Sequence, residues 1–101
     1  MTVRAGGQVI ASSTAALVLR EAKLSPVFYI PLADVDQSVL ARSQHHTYCP
    51  YKGKASYYDV VVDGRTINDA IWTYEQPYEA VSEIEGHVAF YPSLVEITTA
   101  A

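Results

Sequence analysis

Short runs of apolar residues separated by turn residues make up most of the hydrophobic pattern of this chain. Residues 27–30 are β-branched or aromatic and lie between Pro26 and Pro31, which predicts a strand. Over residues 15–21, the alternation of Leu17 and Leu19 with their neighbours favours a strand over a helix. Further short strands are predicted over residues 3–5, 8–11, 39–43, 46–48, 88–91 and 94–97.

A β-hairpin is the strongest local prediction. From residue 57 to residue 63 the side chains alternate between two faces, and Asp63-Gly64 provides the residues that a two-residue type I′ turn requires. Counted back from this turn, Tyr57 pairs with Ala70, and Trp72 lies diagonal to Tyr57 on the same face. A bulge at residues 68–69 would shift this register.

One short helix is predicted near residues 78–85. Pro77 suits a first helical position and Gly86 suits the position after the last turn, while Ala80, Val81 and Ile84 form an apolar stripe between them. Residues 32–36 allow no more than a helical turn. Many short strands with a single short helix predict a mainly-β domain of short antiparallel strands folded over one core.

Size and charge restrict the possible functions. A chain of 101 residues matches one domain, here residues 1–101, with one core. The net charge of −4 and the seven scattered Lys and Arg residues argue against nucleic acid as a partner, because phosphate binding depends on clustered cations. The chain has no apolar run of membrane-spanning length, no signal pattern and only one cysteine, so we expect a cytoplasmic protein with no membrane partner.

The candidate chemistry is concentrated in residues 47–58. This segment holds the only cysteine, Cys49, three residues before Lys52, together with four of the eight tyrosines. Pro50 locks φ and Gly53 permits a positive φ, which predicts a tight turn around the pair. The hairpin brings its second strand back beside this turn. We therefore predict a pocket for a small planar or anionic molecule, formed by Tyr51, Lys52, Tyr57, Trp72 and Tyr74.

Other interpretations of the same segment remain open. Cys49 could be a nucleophile whose thiolate is favoured by Lys52, with His45 or His87 nearby, which would make Cys49 and Lys52 catalytic residues. Most free cysteines are instead buried small hydrophobes, and we favour that interpretation here. The aromatic side chains could also lie on an open surface that binds a partner protein.

The chain resembles the DUF427 family over residues 9–91. The residues that carry the resemblance are Tyr29-Ile-Pro31, Asp34-Val35, Thr47-x-Cys-Pro-Tyr-Lys-Gly53 with Ala55-Ser-Tyr57, Asp69-Ala-x-Trp72, Tyr74-x-x-Pro77 and Gly86-His-Val-Ala-Phe-Tyr91. The resemblance implies a small mainly-β fold of the β-tent (Mss4-like) kind. It implies no settled activity, although a nucleotidyltransferase label is sometimes attached to the family.

Nucleotidyl transfer finds little support in the residues themselves. The reaction needs carboxylates that bind a metal ion and backbone donors that bind phosphate. Asp34 and Asp36 offer two carboxylates, but neither a glycine-rich phosphate loop nor a cluster of cations accompanies them. We interpret Asp34 as the cap of a helical turn after Pro31 and expect no cofactor.

A metal site is also disfavoured. Domains of the β-tent kind often carry a four-cysteine zinc site, and this chain has a single cysteine. On paper, four ligands remain: His45, His46, Cys49 and His87. In an extended strand His45 and Cys49 would be roughly 13 Å apart, at ~3.3 Å per residue, whereas zinc needs both ligands within ~2.3 Å. We therefore expect no bound metal.

Overall fold

The computed structural model describes residues 1–20 and 25–99, which form nine strands and three 3-10 helices. In chain order the strands are β1 (Thr2–Ala5), β2 (Gln8–Ser12), β3 (Leu17–Leu19), β4 (Val27–Pro31), β5 (Leu40–Cys49), β6 (Gly53–Val62), β7 (Arg65–Thr73), β8 (His87–Phe90) and β9 (Glu96–Thr98). The 3-10 helices span Leu32–Asp34, Gln37–Val39 and Glu79–Ile84. The longest helix in this part of the chain has six residues, too few to cross a membrane.

The strands form two antiparallel sheets. One sheet has three strands in the order β2-β1-β9, and the other has six in the order β3-β4-β8-β7-β6-β5. Strands that follow one another in the chain are neighbours in most of the six-stranded sheet, as short hairpin connections favour. The mainly-β prediction is confirmed.

The main core lies between the two sheets. Val3 of β1 and Ile10 of β2 belong to one buried cluster with Ile30, Val60 and Ile71 of the six-stranded sheet. The alternation along each strand explains this arrangement, because every second side chain points to the same face of a sheet. The three-stranded sheet therefore covers one face of the six-stranded sheet.

The opposite face of the six-stranded sheet carries a second buried cluster. Tyr29 of β4, Tyr57 of β6 and Ala89 of β8 belong to it, each one residue away in sequence from a side chain that points toward the other face. Ile84 from the 3-10 helix Glu79–Ile84 packs on this side. Both faces of the six-stranded sheet are thus partly buried, each by different elements.

The hairpin between β6 and β7 forms as predicted at its turn and differs farther along. Asp63 and Gly64 have φ values of 50° and 73°, and Val62 pairs with Arg65. The predicted pairing of Tyr57 with Ala70 is wrong, because Tyr57 pairs directly with Trp72. The two aromatic side chains share one face, as expected.

A bulge in β7 causes this shift of register. Between the pairs Tyr58–Ile71 and Val60–Ile67, three residues of β7 lie opposite Asp59 alone. Asp69, in the middle of the bulge, has φ of 53°, and its N–H donates to Asp59 Oδ1 at 2.8 Å. The bulge was foreseen as an alternative, and its two additional residues move Trp72 from a diagonal to a direct partner of Tyr57.

The remaining elements differ from prediction mainly at their ends. The strands expected over 39–43 and 46–48 are one strand, β5, whose pairing with β6 is irregular between Arg42 and His46. The strand expected over 15–21 is confined to Leu17–Leu19, and residue 21 lies outside the described residues. The last strand begins at Glu96, two residues later than expected.

The predicted helix near residues 78–85 is a 3-10 helix with a kink. Tyr78 is its N-cap, so Pro77 does not occupy the first helical position, and Val81 has non-helical angles (φ −128°, ψ 30°). A segment this short cannot offset the cost of starting an α-helix, and a β-branched residue inside it disfavours helical geometry. Gly86 has φ of 73° and ends the helix as expected.

The capping role predicted for Asp34 is wrong. The 3-10 helix Leu32–Asp34 has no side-chain cap, and Asp34 instead accepts a hydrogen bond from Ser13 Oγ at 2.6 Å. Asp36 caps the following helix by accepting from the N–H of Ser38. The Ser13–Asp34 bond ties two segments far apart in sequence, which sequence spacing cannot reveal.

The bulge provides a test of the register. Replacing Asp69 with Ala removes the bond that Ser43 Oγ donates to Asp69 Oδ1 at 2.6 Å and places a Cβ-bearing residue without a local partner at positive φ. We expect Asp69→Ala to lower the free energy of unfolding by about 2 kcal/mol, measured by urea unfolding.

Asp69→Asn is the matched control, because asparagine tolerates the left-handed conformation and its side-chain oxygen can accept from Ser43. Its loss should stay within about 0.5 kcal/mol. Equal stability of the Ala and Asn variants would show that neither the conformation nor the bond holds the bulge.

Candidate functional site

The turn between β5 and β6 has the tight geometry predicted for it. The N–H of Lys52 donates to the carbonyl oxygen of Cys49 at 3.3 Å, and Gly53 has φ of 111°. A Cβ at Gly53 would lie 3.4 Å from the carbonyl oxygen of Gln76 and 3.5 Å from the ring of Tyr78. Glycine at this position therefore allows the turn to pack against residues 76–78.

Lys52 is a buried lysine. Its exposed fraction is 8%, its carbonyl oxygen accepts from the N–H of Tyr78 at 3.0 Å, and its Nζ lies 4.0 Å from Cys49 Sγ. Cys49 itself is half-buried. The prediction that the turn would hold the ammonium within a few ångströms of the thiol is confirmed.

Five aromatic residues gather on the face of the six-stranded sheet that this turn adjoins. We call them the aromatic cluster: Tyr29, Tyr57, Trp72, Tyr74 and Tyr91. Tyr29, Tyr57 and Tyr74 are buried, whereas Trp72 and Tyr91 are half-buried. Cys49 packs against the same cluster.

Direct ring contacts connect the cluster. The ring centroids of Trp72 and Tyr91 are 4.4 Å apart at a tilt of 43°, and Trp72 meets Tyr29 edge-on at 6.4 Å. Tilted and edge-to-face arrangements suit the quadrupoles of aromatic rings. Trp72 is therefore the centre of the cluster and is held from two sides.

Hydroxyl groups satisfy one another inside the cluster. Tyr57 Oη lies 2.8 Å from Thr47 Oγ1 and 3.5 Å from Tyr91 Oη, and Trp72 Nε1 donates to Tyr29 Oη at 3.4 Å. Among the described residues, every buried side-chain nitrogen and oxygen has a hydrogen-bond partner. The cluster is thus a packed, polar-satisfied unit with an outer rim at Trp72, Tyr91 and Cys49.

Burial dominates the electrostatics of the phenols. The pKa of Tyr74 is raised, first by burial and then by the neighbouring Tyr29 and by Cys49. Burial also raises the pKa of Tyr91 to about 12, with a further contribution from its hydrogen bond to Tyr57. Both phenols therefore stay protonated at neutral pH and are able to donate hydrogen bonds.

The structure brings together four of the five predicted ligand-binding residues. Lys52, Tyr57, Trp72 and Tyr74 lie in or beside the aromatic cluster, whereas Tyr51 is 75% exposed and lies outside it. Tyr51 follows Pro50 at the outer corner of the turn.

The histidines considered as partners of Cys49 make other contacts. The ring of His45 packs on Tyr57 with centroids 4.7 Å apart. His87 Nδ1 lies 2.8 Å from the carbonyl oxygen of Glu85. Within residues 1–20 and 25–99, no three His, Cys, Asp or Glu side chains are grouped so that they could hold a metal ion.

Sequence reasoning missed Tyr29, Tyr91 and Thr47 as members of the site. Tyr29 and Tyr91 were part of the family resemblance, and a signal for Tyr91 was available in the alternation along β8. Ala89 pairs with Trp72, so a residue two positions later returns to the same face. Thr47 occupies the same face of β5, opposite Ala55.

Two cavities lie near these residues. One, of about 360 Å³, is lined by Trp72, Val27 and Phe90 among others, at the edge where β4 and β8 stop pairing. The other, of about 490 Å³, lies beside Lys54 and Tyr78. Neither is lined by Lys52, Tyr57 or Tyr74, so the predicted residues form a packed cluster next to a cavity, and only Trp72 borders one.

Comparison with known proteins gives one family. A family model described as a domain of unknown function, DUF427, matches residues 1–101, the whole chain. A comparison with curated proteins found no match.

The raised phenol pKa values predict alkaline destabilisation. An unfolded tyrosine titrates near pH ~10, so above that pH the unfolded state loses protons before Tyr74 and Tyr91 do. Their contribution to the free energy of unfolding is complete below pH ~10 and is lost as the pH rises through the folded pKa values. Urea unfolding at several pH values between ~9 and ~12, with tyrosine absorbance at alkaline pH, measures this.

Phenylalanine variants identify the tyrosines responsible. In Tyr74→Phe and Tyr91→Phe the decline with pH should be shallower than in the wild type, because one late-titrating phenol is absent. Tyr51→Phe removes an exposed phenol and should leave the slope unchanged. The same slope in all four proteins would contradict the assignment.

Proposed function

The chain belongs to the DUF427 family, and we propose that the aromatic cluster and Lys52 together bind a small planar or anionic molecule beside the turn at residues 49–53. The observation that carries this proposal is the burial of the Lys52 side chain 4.0 Å from Cys49, against a cluster of tyrosines. A lysine is rarely this buried, since removing an ammonium from water costs free energy. An apolar residue would fill the same space at lower cost, and a charge kept there suits recognition of an anion.

The outer rim of the cluster supports the planar part of the proposal. Trp72 and Tyr91 remain half-buried, with their rings in contact, and Trp72 also borders the cavity of about 360 Å³. Half-exposed aromatic faces offer a surface on which a planar group can stack. Tyr91 and Tyr57 present hydroxyl groups at the same rim, which can donate to an oxygen of the ligand.

A partner-protein interface is the second candidate, and it rests on different residues. Tyr57 is 6% exposed, so it cannot contribute to an open contact surface. Tyr48 and Tyr51, however, are 76% and 75% exposed at the same turn. Exposed tyrosines of this kind are common at protein interfaces. This second candidate therefore predicts an effect of Tyr48 and Tyr51, which the ligand site does not need.

Catalysis by Cys49 is the weaker alternative. The ammonium of Lys52 is within reach of the thiol, but the histidines that would act as a base contact Tyr57 and Glu85 instead. A nucleophile needs a base in hydrogen-bond contact. We therefore retain the interpretation of Cys49 as a packing residue at the edge of the ligand site.

A thermal-shift screen with small planar acids, nucleosides and their phosphates tests the ligand site. A bound compound at saturating concentration should raise the melting temperature of the wild type by several degrees. The shift should disappear in Lys52→Met, which keeps the length and packing of the side chain but removes its charge.

Lys54→Ala is the matched control, because Lys54 is an exposed lysine two residues away that lies outside the aromatic cluster. The shift should persist in this variant. A compound that stabilises wild type and Lys52→Met equally would contradict the site, and loss in a Tyr51→Ala variant alone would favour the interface.

Alkylation of Cys49 separates a packing role from a nucleophilic one. In the folded protein we expect slow reaction with iodoacetamide near neutral pH, at a rate that Lys52→Met leaves nearly unchanged. Unfolding in urea should release the thiol to react at the rate of a free cysteine. Mass spectrometry of samples quenched over time measures both rates.

The opposite result would reverse our preference. Rapid alkylation of the native protein that slows at least about tenfold in Lys52→Met would show that the ammonium activates the thiol. Cys49 would then be the first candidate for a nucleophile, with Lys52 as its activating residue.

A further inference from the structure

A second candidate site lies on the other face of the six-stranded sheet, beyond the end of the main core. It is a cavity of about 490 Å³ that we call the polar cavity. Its lining includes Arg42, His46, Tyr48, Lys54, Glu75 and Tyr78. None of these residues belongs to the aromatic cluster or packs in the main core.

Pairing of β5 with β6 places these side chains. Tyr48 pairs with Lys54 and His46 pairs with Ser56, so their side chains lie side by side on one face. Tyr58 continues this face and packs against the main core. The three-stranded sheet covers the face from there onward, and the cavity occupies the part that it leaves uncovered.

The cavity is locally rich in positive charge. The whole chain has a net charge of −4, yet two of its seven Lys and Arg residues, Arg42 and Lys54, line this one cavity beside His46. Glu75 is the single carboxylate of the lining. A concave surface with an excess of cations attracts anions even on an acidic protein.

Arg42 and Glu75 form a fixed frame on one side. They make a salt bridge, and Arg42 Nη1 also donates to Tyr58 Oη at 3.3 Å while the guanidinium lies 5.3 Å from the centroid of the Tyr58 ring. The pKa of Glu75 is lowered, first by Arg42, with a further contribution from a hydrogen bond to Ser56. The carboxylate therefore stays charged and occupied by Arg42.

Lys54 is the cation that this frame leaves available. Its side chain is exposed, and in the part of the chain that the structure describes it takes part in no ion pair. Tyr48 is 76% exposed and Tyr78 is 47% exposed. Two exposed aromatic rings and a cation around one cavity match a ligand with a planar part and an anionic part.

The serine in the cavity does not form a catalytic triad. Ser56 Oγ lies 3.4 Å from His46 Nδ1, and the hydroxyl also contacts Glu75, so the serine stands between the histidine and the acid. A triad requires the histidine in the middle, with the acid orienting it. Ser56 is also buried, so its role is to hold His46 and Glu75 in place.

We propose that the polar cavity binds a small organic anion, a carboxylate or phosphate attached to a planar ring, independently of the aromatic cluster. Lys54 contacts the anionic group with support from Arg42, and Tyr48 and Tyr78 contact the ring. Phosphate monoesters and carboxylates share this chemistry, and binding measurements distinguish the two.

Titration by NMR with phenyl phosphate and with benzoate tests the proposal. At least one of them should bind saturably, with shift changes at Lys54, His46 and Tyr78. Tighter binding of phenyl phosphate assigns the site to phosphate monoesters, and tighter binding of benzoate assigns it to carboxylates. Inorganic phosphate and phenol, which each lack one part, should bind at least about tenfold more weakly.

Variants at exposed positions identify the contacts. Lys54→Ala should weaken binding about tenfold and Lys54→Arg should retain it, since the charge is kept. Tyr48→Ala should weaken binding about fivefold through loss of ring contact. Both residues are exposed, so the variants should fold, which a thermal melt confirms.

Three results would overturn the proposal. Neither probe binds saturably at concentrations up to about 10 mM, or Lys54→Ala and Lys54→Arg both bind like the wild type. In the third, Lys52→Met abolishes binding while Lys54→Ala preserves it, which would place the probes at the aromatic cluster.

Discussion

The pairing between β6 and β7 determines where the candidate functional side chains lie. Because neighbouring residues of a strand point to opposite faces, a change of register by one residue would move every side chain of β7 to the other face. The bulge at Asp69 adds two residues rather than one, so it keeps the faces and changes only the partners. Tyr57 and Trp72 thereby become direct neighbours on the face that also carries Tyr91.

A consequence of this pairing is that the six-stranded sheet separates two environments. One face holds the apolar core beneath the three-stranded sheet and, beyond it, the polar cavity with Arg42 and Lys54. The other holds the aromatic cluster and the buried Lys52. Lys52 and Lys54 are only two residues apart, yet the turn at Gly53 directs them into different surroundings. One lysine is buried and the other is exposed.

The candidate site was partly predictable because its main features are local. Cys49, Pro50, Lys52 and Gly53 lie within five residues, so the turn that brings thiol and ammonium together follows from their spacing. Trp72 and Tyr74 arrive through a hairpin whose turn residues are evident in the sequence. Tyr51 was misplaced relative to the cluster, because a residue in a turn has no alternation to show which side it faces.

Local chemistry in the sequence determined the mainly-β class, the type I′ turn at Asp63-Gly64 and the tight turn after Cys49, because each depends on a few adjacent residues. Tertiary structure alone decided the rest. The positions of Tyr29 and Tyr91 against Trp72 depend on which strands become neighbours, and the bond from Ser13 to Asp34 depends on two distant segments meeting. The polar cavity exists because the smaller sheet ends before the larger one does, and no short segment of sequence encodes how far one sheet covers another.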